Sequence, residues 1–420
     1  MVSILLSAVG TCLFAQNGAM HSSRRDAIFQ RRGYIKIGLP QSGKDLTVAC
    51  GVAMQISCNG AGRMASPGAV SASAGGGVVT VSQNGTPLGA GAAVTIAPNG
   101  NGLLSIGKKS YRGKFTLVAN GNGVRVINEL LIDDWLKGVL PAEIGEDSGL
   151  EALKAQAVAA RSEAIHKLLK PPHAGEGYDF CTGVHCQAYK GVEVEAANSN
   201  RACDETLGVV LLANGDVMDA VYSNVCGGVT AGAEDVWASP PQPGLIPVFD
   251  MAGNSSPNLG SENAMEQFLA NRSGSVYCDS SNPQYANYAK KYYRWSKTIS
   301  AQQLSKVARV GSVLDVKVTE RKRSGRVWKL TIVGSGGSKT IEKELPIRNA
   351  LDLWSGLFVV HVTKNPDGTV QSATFNGAGN GHGVGLCQHG AREMSRRGAN
   401  FVQILNHYFR GTEVQKIYRP

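Results

Sequence analysis

The sequence predicts an α+β fold, rich in strands and carrying a few helices, and three observations lead there. Its 52 glycines, with 43% apolar but only 6% aromatic residues, suit many short strands joined by tight turns. Short apolar runs punctuated by Asn-Gly and other glycine pairs fill the stretch from Tyr34 to about Asn128. One alanine-rich run with helical spacing follows, and Pro171 stops it. A chain of 420 residues is long enough for one large unit with an insertion or for two domains.

Residues 1–33 read as a leader and linker. The apolar run within Val2–Ala15 has the length of a signal-peptide core without the usual basic start. Cys12 follows Val9-Gly10-Thr11, a poor lipoprotein match. Residues 34–103 form a β-rich region that opens on the alternating Tyr34–Leu39 and includes Gly77–Val81 and Ala93–Ile96. Ser148 stands three residues before Glu151, which is capping-box spacing, and Leu153, Ala157, Ala160, Ala164 and Leu168 then recur on one helix face.

Asn214-Gly215 between two apolar runs predicts a hairpin with a two-residue turn. Such a turn would set Cys203 opposite Cys226, so a disulfide between them is expected, and Cys50 with Cys58 is a weaker second pair. Nine cysteines are many for a reducing compartment, and an odd number leaves one out of any disulfide set. Residues 244–345 have less pattern and read as an inserted subdomain, with Glu320-Arg321-Lys322-Arg323 as the solvated turn of a hairpin and the chemistry elsewhere. The chain closes with a strand at Phe358–Val362, a glycine-rich loop from Gly377 to Gly385, and helices at Ala391–Arg397 and Phe401–Phe409.

Lys and Arg number 42 against 32 Asp and Glu, and the net charge of +10 is spread along the chain. That balance favours anionic surroundings. No helix-turn-helix, zinc-finger spacing or aromatic ribonucleoprotein strand accompanies it, so no nucleic acid is expected as partner. No run reaches the roughly 20 apolar residues that span a bilayer. A Ser-His-Asp nucleophile elbow and a His-Glu-x-x-His run are both absent from the sequence.

Glu143 lies between the apolar Val139-Leu140 and the long helix, where partial desolvation would raise its carboxyl pKa towards the range of a proton donor. Lys154 and Arg161 are seven residues apart, about 20° from each other around a helix, with Gln156 on a neighbouring face. Cys181, His185 and Cys186 bring three soft-metal ligands into six residues, with His173 upstream as a fourth. A closed tetrahedral set of this kind would hold a structural zinc, and a disulfide or a free thiol pair is equally open. Near the other end, His382, Gln388 and His389 are polar groups on a backbone with little side-chain bulk. Tyr222 and Ser223 precede a second glycine turn and could form hydrogen bonds to sugars.

These segments together resemble the SpoIID/LytB family, the sporulation stage II protein D and amidase-enhancer group. The pieces that carry the resemblance are Leu140-Pro141-Ala142-Glu143, the run from Ala152 to Arg161, Tyr222 to Thr230, and Gly379 to Ala391 with Gly381-His382-Gly383-Val384-Gly385 and Gln388. They cover residues 104–415 in order and imply a SpoIID-like catalytic domain with the insertion at 244–345. Enzymatic members are lytic transglycosylases that cut between N-acetylmuramic acid and N-acetylglucosamine in glycan strands stripped of peptides, forming 1,6-anhydro ends. The resemblance puts the catalytic glutamate on Glu143 and the important helix cations on Lys154 and Arg161. It implies zinc held by His173, Cys181, His185 and Cys186, and substrate contacts from Gln156, Tyr222, Ser223, His382 and Gln388. Peptidoglycan glycan strands and a cell-wall amidase are the implied partners, and the implied location is the cell envelope outside the cytoplasm, secreted or tethered. A catalytically silent amidase activator is the second reading and a zinc-dependent hydrolase the third. Where many members carry serine this chain has Cys387, which could pair with Cys226 in place of Cys203.

Overall fold

A computed structural model of the chain describes residues 28, 31, 33–183, 185–253, 255–271, 275–280 and 287–418, so the predicted leader and Cys12 lie outside the described residues. The fold is α+β. It divides into two compact units, one of residues 1–219 with 415–420 and the other of residues 220–414.

The first unit begins with strands β1 (Tyr34–Gly43), β2 (Asp45–Cys50), β3 (Met54–Cys58), β4 (Ala61–Ala65), β5 (Gly68–Gly75) and β6 (Val78–Gln83). It continues with β7 (Thr86–Gly91), β8 (Ala93–Pro98), β9 (Leu104–Ile106), β10 (Lys109–Tyr111), β11 (Lys114–Asn120), β12 (Gly123–Leu131) and β13 (Phe180–Cys181). One sheet has the order β13-β1-β12-β11-β8-β3-β4, the other β10-β9-β2-β5-β6-β7. Alternation decides which side chains face inward: Val70 and Ala72 on β5, Val79 and Val81 on β6, Val94 and Ile96 on β8, and Phe115 and Leu117 on β11 are all buried. Of the expected linker, the described residues 28, 31 and 33 are held by the fold. Ile28 is fully buried and Arg31 pairs with Asp179 at 2.7 Å.

The unit also contains the helices α1 (Ile132–Lys137), α2 (Leu140–Glu143), α3 (Leu150–Lys167) and α4 (Ala197–Glu205). Pro141 sits in the first turn of α2, where its missing N–H costs nothing. The predicted long helix is α3, but the stripe expected on one face is absent, because every residue from Ala152 to Ile165 except Lys154 is buried. Its small alanines let neighbouring backbone approach from all sides. The predicted capping box does not form. Gly149 occupies the N-cap with φ +86°, while the Ser148 hydroxyl turns back to donate to the carbonyls of Ile144 and Gly145, each at 2.7 Å.

Arg161 pays for its place inside α3 with an ion pair. Its Nε and NH2 meet Asp133 Oδ1 on α1 at 2.8 and 2.7 Å, its NH1 donates to Val209 O at 3.0 Å, and its side chain is fully buried. Asp133 Oδ2 accepts the Tyr418 hydroxyl at 2.8 Å, which ties the C-terminal residues to the same point. The Asn-Gly hairpin forms as predicted between β14 (Val209–Ala213) and β15 (Asp216–Val217), with Asn214 and Gly215 both at positive φ. Cys203 is not on an extension of that hairpin; it lies on α4, so the expected pairing with Cys226 is corrected. All eight described cysteines, Cys50 and Cys58 included, are free thiols.

The second unit contains β16 (Tyr222–Ser223), β17 (Trp295–Ser300), β18 (Val313–Arg321), β19 (Val327–Gly334), β20 (Gly337–Glu342), β21 (Phe358–Lys364), β22 (Val370–Gly377) and β23 (Leu386–Cys387). Its sheets run β17-β22-β21 and β18-β19-β20, and β16 lies parallel to β23. One core, with Trp295, Leu304, Leu330, Ile332, Phe358 and Phe375, joins the strands on either side of residue 345. The basic run at 320–323 does turn between β18 and β19, but it is not simply solvated. The Arg321 side chain is 3% exposed, pairs with Glu262 and donates to the carbonyls of Gly325 and Phe358. The closing helices span Gln388–Arg396 and Phe401–Tyr408, the first beginning three residues earlier than its sequence pattern indicated.

Removing Arg161 leaves Asp133 buried and without its cation. Arg161→Ala should therefore cost about 3–5 kcal/mol of stability, and Tyr418→Phe about 1 kcal/mol, read as shifts of the urea-unfolding midpoint.

Candidate functional site

Glu143 is the last residue of α2. Gly145 then takes φ +85° and breaks the helix, so the chain turns before α3 begins. The carboxylate is half-buried, and its Oε1 accepts the backbone N–H of Ala188 at 2.7 Å. Burial pushes its pKa up, while the Ala188 N–H and the positive charge of Lys190 oppose the rise without cancelling it. A carboxyl group that holds its proton more firmly than an exposed glutamate is suited to donate that proton to a leaving oxygen.

Ala188 is positioned by the residue before it. Gln187 adopts φ +86°, a left-handed conformation that a non-glycine residue takes only when its surroundings hold it there. Its Nε2 donates to Ala160 O at 3.1 Å and to Glu163 Oε2 at 3.0 Å, both on α3. Glu163 is a second buried carboxylate that the sequence pattern did not single out. Burial pushes its pKa up, Lys167 opposes this, and nearby Asp219 and Glu143 add to the rise. The sequence offered one signal for this turn: Gln187 directly follows a predicted metal ligand.

That ligand, Cys186, belongs to a cluster in which His173, Cys181, His185 and Cys186 place one ligand atom each within 4.8 Å of all the others. His173 Nε2 lies 3.2 Å from His185 Nε2, and Cys181 Sγ lies 3.6 Å from the same nitrogen. Around a tetrahedral zinc, two nitrogens are about 3.3 Å apart and a nitrogen and a sulfur about 3.5 Å apart. The residues fit the ion. Outer contacts fit as well: His173 Nδ1 is bonded to Glu176 Oε1 at 2.7 Å, and the Gly183 N–H donates to Cys181 Sγ at 3.2 Å. With four protein ligands no position would remain for a reactive water, so an ion held here would be structural.

The remaining predicted residues of the first unit are placed differently from expectation. Arg161 and Gln156 are fully buried in α3 and present no surface to a ligand. Lys154 Nζ lies between Glu151 Oε1 at 2.8 Å and Glu205 Oε2 at 2.7 Å, and so clamps α3 to α4.

In the second unit, Tyr222 and Ser223 on β16 pair in register with Leu386 and Cys387 on β23. Ser223, Gln388 and His389 are buried, and Tyr222 is half-buried. The bareness of the glycine-rich loop serves packing within the protein. A Cβ on Gly383 would stand 1.8 Å from the Arg326 guanidinium, and one on Gly385 would stand 2.1 Å from Val221 O. His382 Nδ1 accepts the Val384 N–H at 3.1 Å, and its ring lies 5.1 Å from that of Trp237, which is 41% exposed. An exposed indole beside an imidazole is a surface on which a sugar ring can rest. No periodicity or motif pointed to Trp237.

The first unit of this α+β protein thus presents a half-buried glutamate at the end of a short helix and a cluster of four side chains able to hold a metal ion. The family described as Stage II sporulation protein matches residues 120–212, and a domain of unknown function, DUF8618, matches residues 231–385. The first of these matches and the relatives below support an assignment to the SpoIID/LytB family. It is 27% identical over 307 residues to an uncharacterised protein of Brachyspira hyodysenteriae, with 72% of each chain covered. It is 29% identical over 293 residues to the amidase enhancer of Bacillus subtilis, covering 66% of this chain and 40% of that one. Against stage II sporulation protein D of Bacillus subtilis it is 25% identical over 332 residues, covering 74% and 83%.

The raised pKa of Glu143 links its protonation to stability. A group that binds its proton more tightly when folded contributes fully below its unfolded pKa and loses that contribution as pH rises through the folded value. Glu143→Gln cannot ionise, so its stability relative to the unaltered chain should improve between pH 4 and pH 7. Urea unfolding at both pH values measures the change, and an unchanged or falling difference contradicts it.

Proposed function

We propose that the chain is a lytic transglycosylase of peptidoglycan glycan strands, acting outside the cytoplasm at the cell envelope with Glu143 as general acid and then base. The half-buried, proton-retaining carboxyl held by the Ala188 N–H carries this reading. The family match and the two named relatives support a cell-wall-related role. Among the described residues no helix is long and apolar enough to cross a membrane.

Protonated Glu143 donates to the glycosidic oxygen that leaves with N-acetylglucosamine. The resulting carboxylate takes the proton from the C6 hydroxyl of N-acetylmuramic acid, whose oxygen attacks the anomeric carbon and closes the 1,6-anhydro ring. One carboxyl group serves both steps, and no second carboxylate holding a water is needed, unlike a hydrolysing glycosidase. His173, Cys181, His185 and Cys186 would hold a zinc ion, which would stiffen the loop that ends at Gln187. Gln187 and Ala188 in turn fix the hydrogen bond on which the carboxyl orientation depends.

A second reading, a non-catalytic activator of a cell-wall amidase, is favoured by the 29% identity to a relative named amidase enhancer. The same ligand count that suits a structural zinc argues against a zinc-dependent hydrolase.

Denuded glycan strands incubated with the unaltered chain should gain 1,6-anhydro ends by mass spectrometry. Glu143→Gln should bind the strands and cut them about 10²–10⁴-fold more slowly. Binding without cleavage by either form, with stimulation of an amidase by both, would select the activator instead. Chelation that strips zinc from the first unit should lower turnover while leaving glycan binding in place, and restored zinc should recover it.

A further inference from the structure

A second group of metal-ligating side chains lies in the other unit, and neither the proposed chemistry nor the sequence pattern assigns it. Cys226 follows β16, Asp250 and Cys278 sit in the loops beyond, and Cys387 ends β23 as the N-cap of the helix Gln388–Arg396. The four come from widely separated parts of the chain, and all are fully buried. Their ligand atoms lie within 4.8 Å of one another. From this geometry we infer that Cys226, Cys278, Cys387 and Asp250 form a second structural site for a single zinc-class divalent cation.

Distances favour an ion over a covalent link. Cys226 Sγ and Cys278 Sγ are 3.7 Å apart, close to the roughly 3.8 Å edge of a tetrahedron with zinc–thiolate bonds and far from the ~2.05 Å of a disulfide. A disulfide would also use only two of three adjacent thiols. The atoms are too close to surround an iron–sulfur cluster, which needs room for several irons and bridging sulfides. Three thiolates and one carboxylate suit zinc, and soft sulfur excludes magnesium or calcium.

Outer contacts are those of a finished site. The Cys226 and Gly390 N–H groups donate to Cys387 Sγ at 3.2 and 3.4 Å. Asp250 Oδ2 accepts the Cys278 N–H at 2.7 Å, and Oδ1 accepts the Tyr408 hydroxyl. Each atom so bonded keeps a lone pair for a cation, and hydrogen bonds of this kind orient metal ligands. Buried without a cation, a carboxylate beside thiols prepared by N–H donors would be an uncompensated cost. With one, the site cross-links β16, β23 and the start of the helix Gln388–Arg396, and so fixes the backbone of Tyr222, Ser223 and Gln388.

The test is a zinc count on the full chain, purified under reducing conditions with zinc(II) supplied and then desalted. The unaltered chain should hold two zinc ions, and Cys181→Ser/Cys186→Ser should keep one. Cobalt(II) in that variant should show a tetrahedral spectrum with thiolate charge-transfer bands, lost on adding Cys278→Ser/Cys387→Ser. A Cys181→Ser/Cys186→Ser chain that folds but binds no metal overturns the proposal, as does a Cys226–Cys278 disulfide in peptide maps of the isolated protein. Should either variant fail to fold, the unaltered chain decides: two ions support the second site, one or none refutes it. One ion surviving in Cys181→Ser/Cys186→Ser with glycan cleavage absent throughout would sink the functional reading and leave this one standing.

Discussion

A guanidinium with no exposed surface governs the first unit. Arg161 is held to Asp133 by two of its nitrogens and to Val209 by the third, and so locks α3 against α1 and the Asn-Gly hairpin. Burying a lone cation there would cost several kcal/mol, so only the arrangement that supplies Asp133 and its Tyr418 partner is acceptable. That arrangement fixes α3 in the interior, where alanines let other segments lie close. Glu143 precedes α3 by a short turn, and Gln187 anchors on it through Ala160 and Glu163. The setting of the glutamate thus follows from where one buried ion pair puts one helix.

Much of this fold could be read from the sequence because its signals were local. Alternating apolar residues marked the strands from Tyr34 onward, and Asn214-Gly215 marked its hairpin because only that turn accepts two successive positive φ values. The α3 cap was misread because Ser148 had a nearer use, donating to Ile144 and Gly145. Its predicted stripe failed because alanine does not distinguish an inward face from a buried periphery. Cys203 was misplaced because the hairpin strands end after a few pairs and a helix precedes them.

The site was legible only in part. Glu143 and the four residues from His173 to Cys186 were visible as residue types at suggestive spacing, and those four come together in the fold. Lys154 and Arg161 were placed correctly on the helix, but their partners Glu205 and Asp133 are distant in sequence, so the cations read as available when they are committed. The Ala188 N–H is backbone and has no sequence signature. Trp237 and the thiols of Cys226, Cys278 and Cys387 are assembled by tertiary folding alone, and no window of the sequence contains them together.

The hydrogen bond from Ala188 to Glu143 has a consequence for the life history of the chain. Its geometry depends on a left-handed glutamine that only the assembled α3 holds in place. An unfolded chain lacks both this bond and the burial that raises the carboxyl pKa, and carries an ordinary solvated glutamate at this position. The properties on which the proposed chemistry rests therefore exist only in the folded unit, and a misfolded or degraded copy loses them without any inhibitor.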